Sequence, residues 1–283
     1  MFKWIIILSK PLLSISLVTY QVDVDVFRET ITSLNRASEV LQQSQQTEIT
    51  LDVIDNGNEN QLLERLIVEC SPLNFRFKIS SNKENLGYGK GHNQSINRSI
   101  ANYHLILNPD VILDDGCLLK GIECLSQNSS IVMLSPSATD QGDKKLFLCK
   151  QYPSIVVLLL RGFFPKPLQK IFDSKLSRYE LRKETLKSDK ENITFDPSLI
   201  SGCFMLCRLD ALQKVGGFDD RFFLYFEDFA LSKELSKFGD IKYLPEMKIK
   251  HSGGYASKKG VRHILLFIKS SITFFNIYGW KFF

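Results

Sequence analysis

Two adjacent carboxylates, Glu227 and Asp228, follow the aromatic run FFLYF and open the stretch EDFALSKEL. Charge among apolar residues is costly unless it is paired or metal-bound. Such acids therefore either face water in a first helical turn, where the dipole favours them, or sit in a pocket and handle protons. Three other polar groups each end a short apolar run: Thr19-Tyr20 after LLSISLV, Asp55-Asn56-Gly57 after EITLDVI, and Asn108-Pro109-Asp110 after YHLIL. An aspartate placed like Asp55 can accept from the ring N–H of uracil or thymine, or from ribose hydroxyls. Asp110 is a hard oxygen ligand, and one or two such carboxylates suffice for a divalent cation that bridges phosphates. DNG and NPD are also ordinary turn sequences. The glycine-rich NLGYGKGHN, Asn85 to Asn93, lets backbone N–H groups approach a nucleotide. It lacks the Ser or Thr that a P-loop carries after its lysine. His251, in HSGG, stands beside a flexible turn and reads either as a structural histidine or as a ligand.

The elements that must position these groups alternate. LLSISLVTY reads as a buried strand, followed by helical spacing of Phe27, Ile31, Leu34 and Leu41, with Glu29 in the expected first turn. EITLDVIDNG, FRFKIS and YHLILNPD read as further strands, and NQLLERLIVEC as a helix. A helix pattern after DNG argues against a hairpin there. The order predicts an α/β, doubly wound, mostly parallel sheet with right-handed crossovers. In such sheets ligands bind beyond the carboxyl ends of the strands, where all three polar groups fall. Between 140 and 195 the prolines after VVLLLRGFF forbid one continuous helix, and SRYELRKETLKSDKEN reads as a solvated helix or loop. SGCFMLCR then reads as a strand, LDALQKVGG as a helix with a glycine stop, FEDFALSKELSKFG as a helix ending at Gly239, and KYLPEMKIKHSGG closes the fold.

A chain of 283 residues can bury a full core. Hydrophobic residues at 44% and charged residues at 24% exclude a disordered class. The six cysteines form no CxxC pair and read as reduced core thiols of a cytoplasmic protein. Lys10 and Pro11 interrupt the opening MFKWIIILSK, with no small-residue cleavage site after it, so a secretory signal is not expected. No run reaches the roughly 18 apolar residues of a spanning helix. The net charge of +5 is partly concentrated at the C-terminus and favours an anionic surface or ligand over nucleic acid. There Lys258, Lys259, Arg262, His263 and Lys269 alternate with aromatics. A basic amphipathic helix of this kind lies on an anionic membrane or packs against the rest of the chain, and Leu265, Ile268 and Ile272 suit either.

Taken in order, SISLVTY, LDVIDNG, ENLGYGKGHNQSI, LILNPDVIL, SGCFMLCRLDALQKVGGFDDRFFLYFEDFALSKELSKFG and HSGG resemble the inverting family 2 glycosyltransferases of the GT-A fold. The likeness is greatest to short rhamnosyltransferase-like members that build bacterial surface polysaccharides such as O-antigen or capsule. It implies a Rossmann-like, mostly parallel sheet flanked by helices in one domain over 1–260. Residues 1–110 would hold the nucleotide sugar and 111–260 the acceptor and catalytic groups, with a basic amphipathic helix over 261–283. Thr19, Tyr20, Asp55 and Asn56 would hold base and ribose, with Asn85, Gly89 and Asn93 shaping the same pocket. NPD stands where relatives carry DxD, so Asp110 would bind Mg²⁺ or Mn²⁺ on the donor diphosphate, and Asn108 replaces the first acid. His251 would complete that site.

The resemblance makes Asp228 the base that takes the acceptor hydroxyl proton, with Glu227 supporting it. Relatives often read EDVDL, whereas Ala230 here replaces the second aspartate. The implied donor is a dTDP- or UDP-sugar, with dTDP-rhamnose the best guess, and the implied acceptor is a glycan on a polyprenyl diphosphate. The implied location is cytoplasmic, at the inner face of the plasma membrane. A GT-A-fold protein that binds nucleotide or glycan without turnover is the alternative. A nicotinamide oxidoreductase is disfavoured by the missing glycine fingerprint after the first strand.

Overall fold

A computed structural model describes residues 12–164, 166–252 and 260–283. The opening run before Leu12, the Gly253-Gly254 turn, and Lys258 and Lys259 lie outside the described residues. The first half comprises β1 (Leu12–Thr19), α1 (Val24–Ser44), β2 (Glu48–Asp55), α2 (Asn60–Val68), β3 (Arg76–Ser81), α3 (Tyr88–Arg98) and β4 (Tyr103–Leu107). It continues through β5 (Val111–Leu113), α4 (Cys117–Gln127), β6 (Ile131–Thr139), β7 (Lys145–Leu146) and β8 (Cys149–Lys150). Four helices follow: α5 (Ile155–Phe163), α6 (Lys166–Ile171), α7 (Asp173–Tyr179) and α8 (Arg182–Glu191). The chain closes with β9 (Leu199–Ile200), β10 (Phe204–Arg208), α9 (Leu209–Lys214), α10 (Glu227–Leu235), β11 (Asp240–His251) and α11 (Val261–Tyr278).

The main sheet has the order β3-β2-β1-β4-β10-β6-β11-β5, and its first four strands are parallel, as the alternation predicts. Register runs from Leu12 opposite Glu48 to Thr19 opposite Asp55, so those two expected site residues form one row. The strands β2 and β4 flank β1, which makes the β1/β4 edge the switch point where such sheets take ligands. The parallel run stops there. The strand β10 runs antiparallel between β4 and β6, β11 is parallel to β6, and β5 is antiparallel to β11.

Those reversals bring the later residues to the same rim. Because Phe204 pairs with Leu107, the residues just before β10 arrive beside Asn108, whose N–H donates to the Cys203 carbonyl at 2.9 Å. Because His251 pairs with Val111, it arrives beside Asp110.

Local chemistry sets the element boundaries. Asp23 caps α1 by accepting from the N–H of Asp25 and Val26 at 3.1 and 3.2 Å, so the helix starts at Val24 and Glu29 falls past the first turn where it was expected. Phe27, Ile31, Leu34 and Leu41 are all fully buried, as their spacing predicts. Along β1, Leu13, Ile15 and Leu17 enter that core, while Ser14 and Ser16 alternate to the other face and meet His104 and His92. The charged stretch SRYELRKETLKSDKEN is largely helical, and two of its acids are paired: Asp189 with Lys145 at 2.5 Å, and Glu180 with Arg182 at 2.7 Å. The C-terminal helix is present. Its Phe274 and Phe275 join Leu158, Phe222, Phe226 and Ala230 in one apolar cluster.

Candidate active site

The floor of the β1/β4 crevice is a hydrogen-bonded row. Asp55 is fully buried; one oxygen accepts from the Gly57 N–H at 2.8 Å, the other from the Glu59 N–H at 2.6 Å and the Ser81 hydroxyl at 3.3 Å. Its carboxylate therefore builds the DNG turn and holds the approach to α2. Asn56 donates from its backbone to Thr19 O at 2.9 Å and from Nδ2 to Gly87 O at 3.2 Å, and it accepts from Asn82 at 2.8 Å. Thr19 is buried, whereas Tyr20 is 54% exposed and free to stack on a planar ring.

The glycine-rich segment does more packing than its composition suggests. Asn85 accepts from the Gly87 N–H at 2.9 Å, and Gly87 has φ +85° with the Phe223 carbonyl where a Cβ would stand. Gly89 is buried within α3, and a Cβ there would lie 2.7 Å from Phe218 Cβ. Asn93 accepts from Phe218 N–H and donates to Phe218 O, both at 2.8 Å. Gly89 and Asn93, expected around the nucleotide, thus clamp α3 onto the GGFDD segment that leads to the carboxylate pair.

On the far side of the switch point, His251 Nε2 lies 3.2 Å from Asp110 Oδ1. Burial resists ionisation of Asp110, but His251 and Asn108 hold its pKa below the usual carboxylate range. Burial also opposes a charged His251, yet Cys203 and Asp110 overcome it and raise its pKa to about 10. Asn108 Oδ1 and Asp110 Oδ1 are buried and neither receives a well-aligned hydrogen bond. The unpartnered Asn108 Oδ1 and the Asp110 carboxylate, which His251 approaches, are hard oxygens that fit Mg²⁺ or Mn²⁺. Among the described residues no group of three His, Cys, Asp or Glu side chains is arranged to hold a metal ion by itself. A cation here would therefore depend on substrate oxygens and water for much of its shell.

The carboxylate pair is presented by an unusual backbone. Tyr225 and Phe226 both have positive φ, 72° and 65°, a conformation that costs on the order of 1–3 kcal/mol per residue and persists only where surroundings enforce it. It delivers Glu227 inward, 5% exposed, with Oε2 buried and unpartnered. Asp228 accepts from the N–H of Gly202 at 2.9 Å and of Phe229 at 2.8 Å. Burial lifts the Asp228 pKa to about 6 against those two bonds. Burial, and then the charge of Asp228, push Glu227 well above the usual carboxylate range. Of the two, Asp228 ionises first, and its charge then holds back the ionisation of Glu227.

The profile of glycosyl transferase family 2 matches residues 14–216. The chain belongs to this family. An N-acetylglucosaminyl-diphospho-decaprenol L-rhamnosyltransferase of Mycobacterium tuberculosis is 26% identical over 203 residues, 67% of this chain and 64% of that protein. The rhamnosyltransferase WbbL of Escherichia coli is 25% identical over 178 residues, 58% of this chain and 61% of that one. Both matches span less than two thirds of the relative's length. Among solved structures, GalNAc-T7 with UDP, GalNAc and Mn²⁺ superposes with a TM-score of 0.61 at 11% identity, covering 88% of this chain and 44% of that one. The mannosyltransferase PcManGT of Pyrobaculum calidifontis, with GDP-Man and Mn²⁺, gives 0.58 at 12%, covering 93% and 65%. These likenesses establish the GT-A fold.

In this family 2 glycosyltransferase three residues that sequence reasoning did not single out join the two halves of the site. The segment Gly202-Cys203 touches both: Gly202 donates to Asp228, and Cys203 adjoins Asn108 and His251. The buried Tyr88 hydroxyl donates to the Gly202 carbonyl. Burial, then Cys203, Glu227, Asp228 and Asp110, raise its pKa, so it stays a neutral donor among the acids. A small residue is required at 202, since a Cβ would stand 3.1 Å from Asp228 Cβ and 3.3 Å from the Tyr88 hydroxyl. The signal available in sequence was the SGC directly preceding a strand, and the tyrosine inside the glycine-rich segment.

Proposed function

We propose that the chain transfers a sugar from a nucleoside diphosphate donor to a glycan acceptor by single displacement with inversion. The observation that carries this reading is the meeting of Asp228 with the Asn108–Asp110–His251 group across Gly202-Cys203, at the switch point of the sheet. Direct displacement needs a base on the face opposite the departing diphosphate. Asp228, fixed by Gly202, is that base; Glu227, buried beside it and resistant to ionisation, orients the acceptor or the base. Tyr20, Asn56 and the Asp55 turn shape the nucleoside pocket. Asn108 and Asp110 would hold Mg²⁺ or Mn²⁺, which when bound neutralises charge on the diphosphate, with His251 joining as a ligand once the ion displaces its proton.

The mycobacterial and E. coli relatives support rhamnose, from dTDP-rhamnose, as the donor sugar. The mycobacterial relative, named for a diphospho-decaprenol-linked acceptor, also supports a polyprenyl-diphosphate-linked acceptor here; a surface polysaccharide, O-antigen or capsule, is the product that the family resemblance implies. Among the described residues no helix is long and apolar enough to cross a membrane. The outward stripe of α11, Val261, Leu265, Ile268 and Ile272 with Arg262 and Lys269 beside it, suits peripheral attachment to the inner face of an anionic membrane.

The test is transfer from dTDP-rhamnose and UDP-sugars to a GlcNAc-diphosphate-lipid with Mn²⁺, the anomeric configuration of the product being read by NMR. Inversion that disappears in Asp228→Asn, with nucleotide affinity intact, is expected. A retained configuration, or full turnover in Asp228→Asn, overturns the assignment. Asn108 and Ala230, both departures from the family's acidic pattern, favour a second reading as a binding protein without turnover. Metal-enhanced nucleotide binding with no transfer from any donor would select it.

A further inference from the structure

A second charged cluster lies within electrostatic reach of Asp228 and takes no part in the donor crevice. Its centre is Glu180, which pairs with Arg182 at 2.7 Å, Arg161 at 3.3 Å and Lys150 at 3.6 Å. Among the described residues one further carboxylate joins it, Asp173, 2.7 Å from Arg182. Arg161 and Arg182 match the two acids, and Lys150 adds a positive charge when it is protonated. Lys150 is buried, a position that costs a lysine heavily, and burial draws its pKa down to about 7. Beside Arg161 the Tyr179 hydroxyl is buried without a well-aligned hydrogen-bond partner.

Arg161 is the half-exposed member of this cluster, and its helix packs through Leu158 into the apolar cluster of Phe226 and Ala230, the residues that flank the acid pair. Its charge favours the ionised form of Asp228. Its closest contact with Glu180 is through Nε. The same short helix exposes Leu159 before it, and Phe164 is exposed at the helix end. The C-terminal segment is tied to the start of this helix: Ile155 and Val156 donate to the carbonyls of Lys281 and Phe282 at 2.9 and 3.3 Å. That adds exposed Trp280, Phe282 and Phe283 to the same region. A fork-shaped cation among exposed apolar side chains, close to the catalytic base, matches an amphiphile with a doubly charged head and a hydrocarbon tail.

We propose that Arg161, backed by Lys150 and Tyr179, binds the diphosphate of a lipid-linked acceptor, and that Leu159, Phe164 and Trp280 take the first units of its hydrocarbon chain. The inference rests on the reading of the acceptor as polyprenyl-diphosphate-linked. It gives that acceptor a site separate from the donor's diphosphate, and it places the lipid on the face that carries α11.

The test is a titration of the full chain, with and without saturating nucleoside diphosphate and Mn²⁺, using farnesyl diphosphate, inorganic pyrophosphate and farnesol. With nucleotide present, farnesyl diphosphate should bind at least about tenfold more tightly than either fragment. Arg161→Gln should lose that preference, and Arg161→Lys should keep part of it, since charge survives without the fork. Unchanged nucleotide affinity and melting temperature in both variants separate this effect from misfolding. A wild type without the preference, or Arg161→Gln retaining it, overturns the proposal. Failure of the donor reading would show separately, as absence of nucleotide binding in the same titrations. Pyrophosphate binding as tightly as farnesyl diphosphate would assign the site to free phosphates and overturn the lipid assignment.

Discussion

Glu227 and Asp228 are adjacent in the chain, yet burial resists the ionisation of both and the Asp228 charge resists that of Glu227 further, with consequences for rate and stability. A base with a pKa near 6 must lose its proton before it can accept another, so kcat should fall as pH drops through about 6. Asp228→Asn should cost roughly 10²–10⁴ in kcat. The sign for stability is opposite. A carboxyl whose folded pKa lies above its unfolded value binds more protons in the native state, so stability declines as pH rises from about 4 to 6 and stays lower beyond. Asp228→Asn should therefore melt higher than wild type at pH 7.5, with the gain gone near pH 4. Thermal scans at the two pH values check this; an unchanged melting temperature at pH 7.5 refutes the burial argument. Glu227→Gln copies the protonated acid and should keep the fold and most of the transfer rate, whereas Glu227→Ala opens a buried void and should keep neither. Asp228 was legible in sequence because an acid pair after aromatics is chemically odd. Tyr88 and Cys203 were not, because an isolated tyrosine or cysteine in an apolar stretch carries no sign of what it will face.

At the scale of elements, α3 is fastened twice. One fastening is Asn93 on both backbone groups of Phe218, and the other is a buried chain in which Ser16 bridges His92 Nδ1 at 2.6 Å and His104 Nε2 at 2.8 Å. Burial holds both imidazoles neutral, His104 at about 3 and His92 well below its ordinary value, so the chain orients rather than relays charge. Ser16→Ala strands two ring nitrogens and should cost about 1–3 kcal/mol in urea unfolding. Asn93→Ala should cost a similar amount and should reduce transfer more than nucleotide affinity, since Phe218 belongs to the route toward Glu227. Equal losses in both would assign Asn93 to the nucleotide pocket instead. The strands and helices of the first half were legible because apolar runs and helical spacing alternate there without interruption. The direction of β10 was not, because FMLC is apolar at every position and a continuous run does not encode whether the neighbour is parallel. The glycines of NLGYGKGHN were visible as glycines, but close packing and close ligand approach demand the same missing Cβ.

For the molecule as a whole, α11 has apolar residues on two faces. Phe274 and Phe275 are buried against Phe222 and Phe226, while Val261, Leu265, Ile268 and Ile272 face outward, which answers the sequence-level choice between packing and an exposed apolar face with both. Leu265→Glu with Ile272→Glu should weaken binding to phosphatidylglycerol vesicles about tenfold or more, and should leave the melting temperature within a degree or two because both sites are exposed. Flotation with vesicles of graded anionic content is the measurement; undiminished binding would move the contact elsewhere.

Ser270 on α11 donates to the Leu224 carbonyl at 2.8 Å, and Tyr225 shares a 2.9 Å hydrogen bond with His263, two residues before the acid pair. The tail is thus part of the foundation of the candidate site. Severing the chain at Gly260 would lay bare Phe222, Phe226 and Ala230 and release the backbone turn that aims Glu227 inward. What looks like a detachable address label would come away with the chemistry attached.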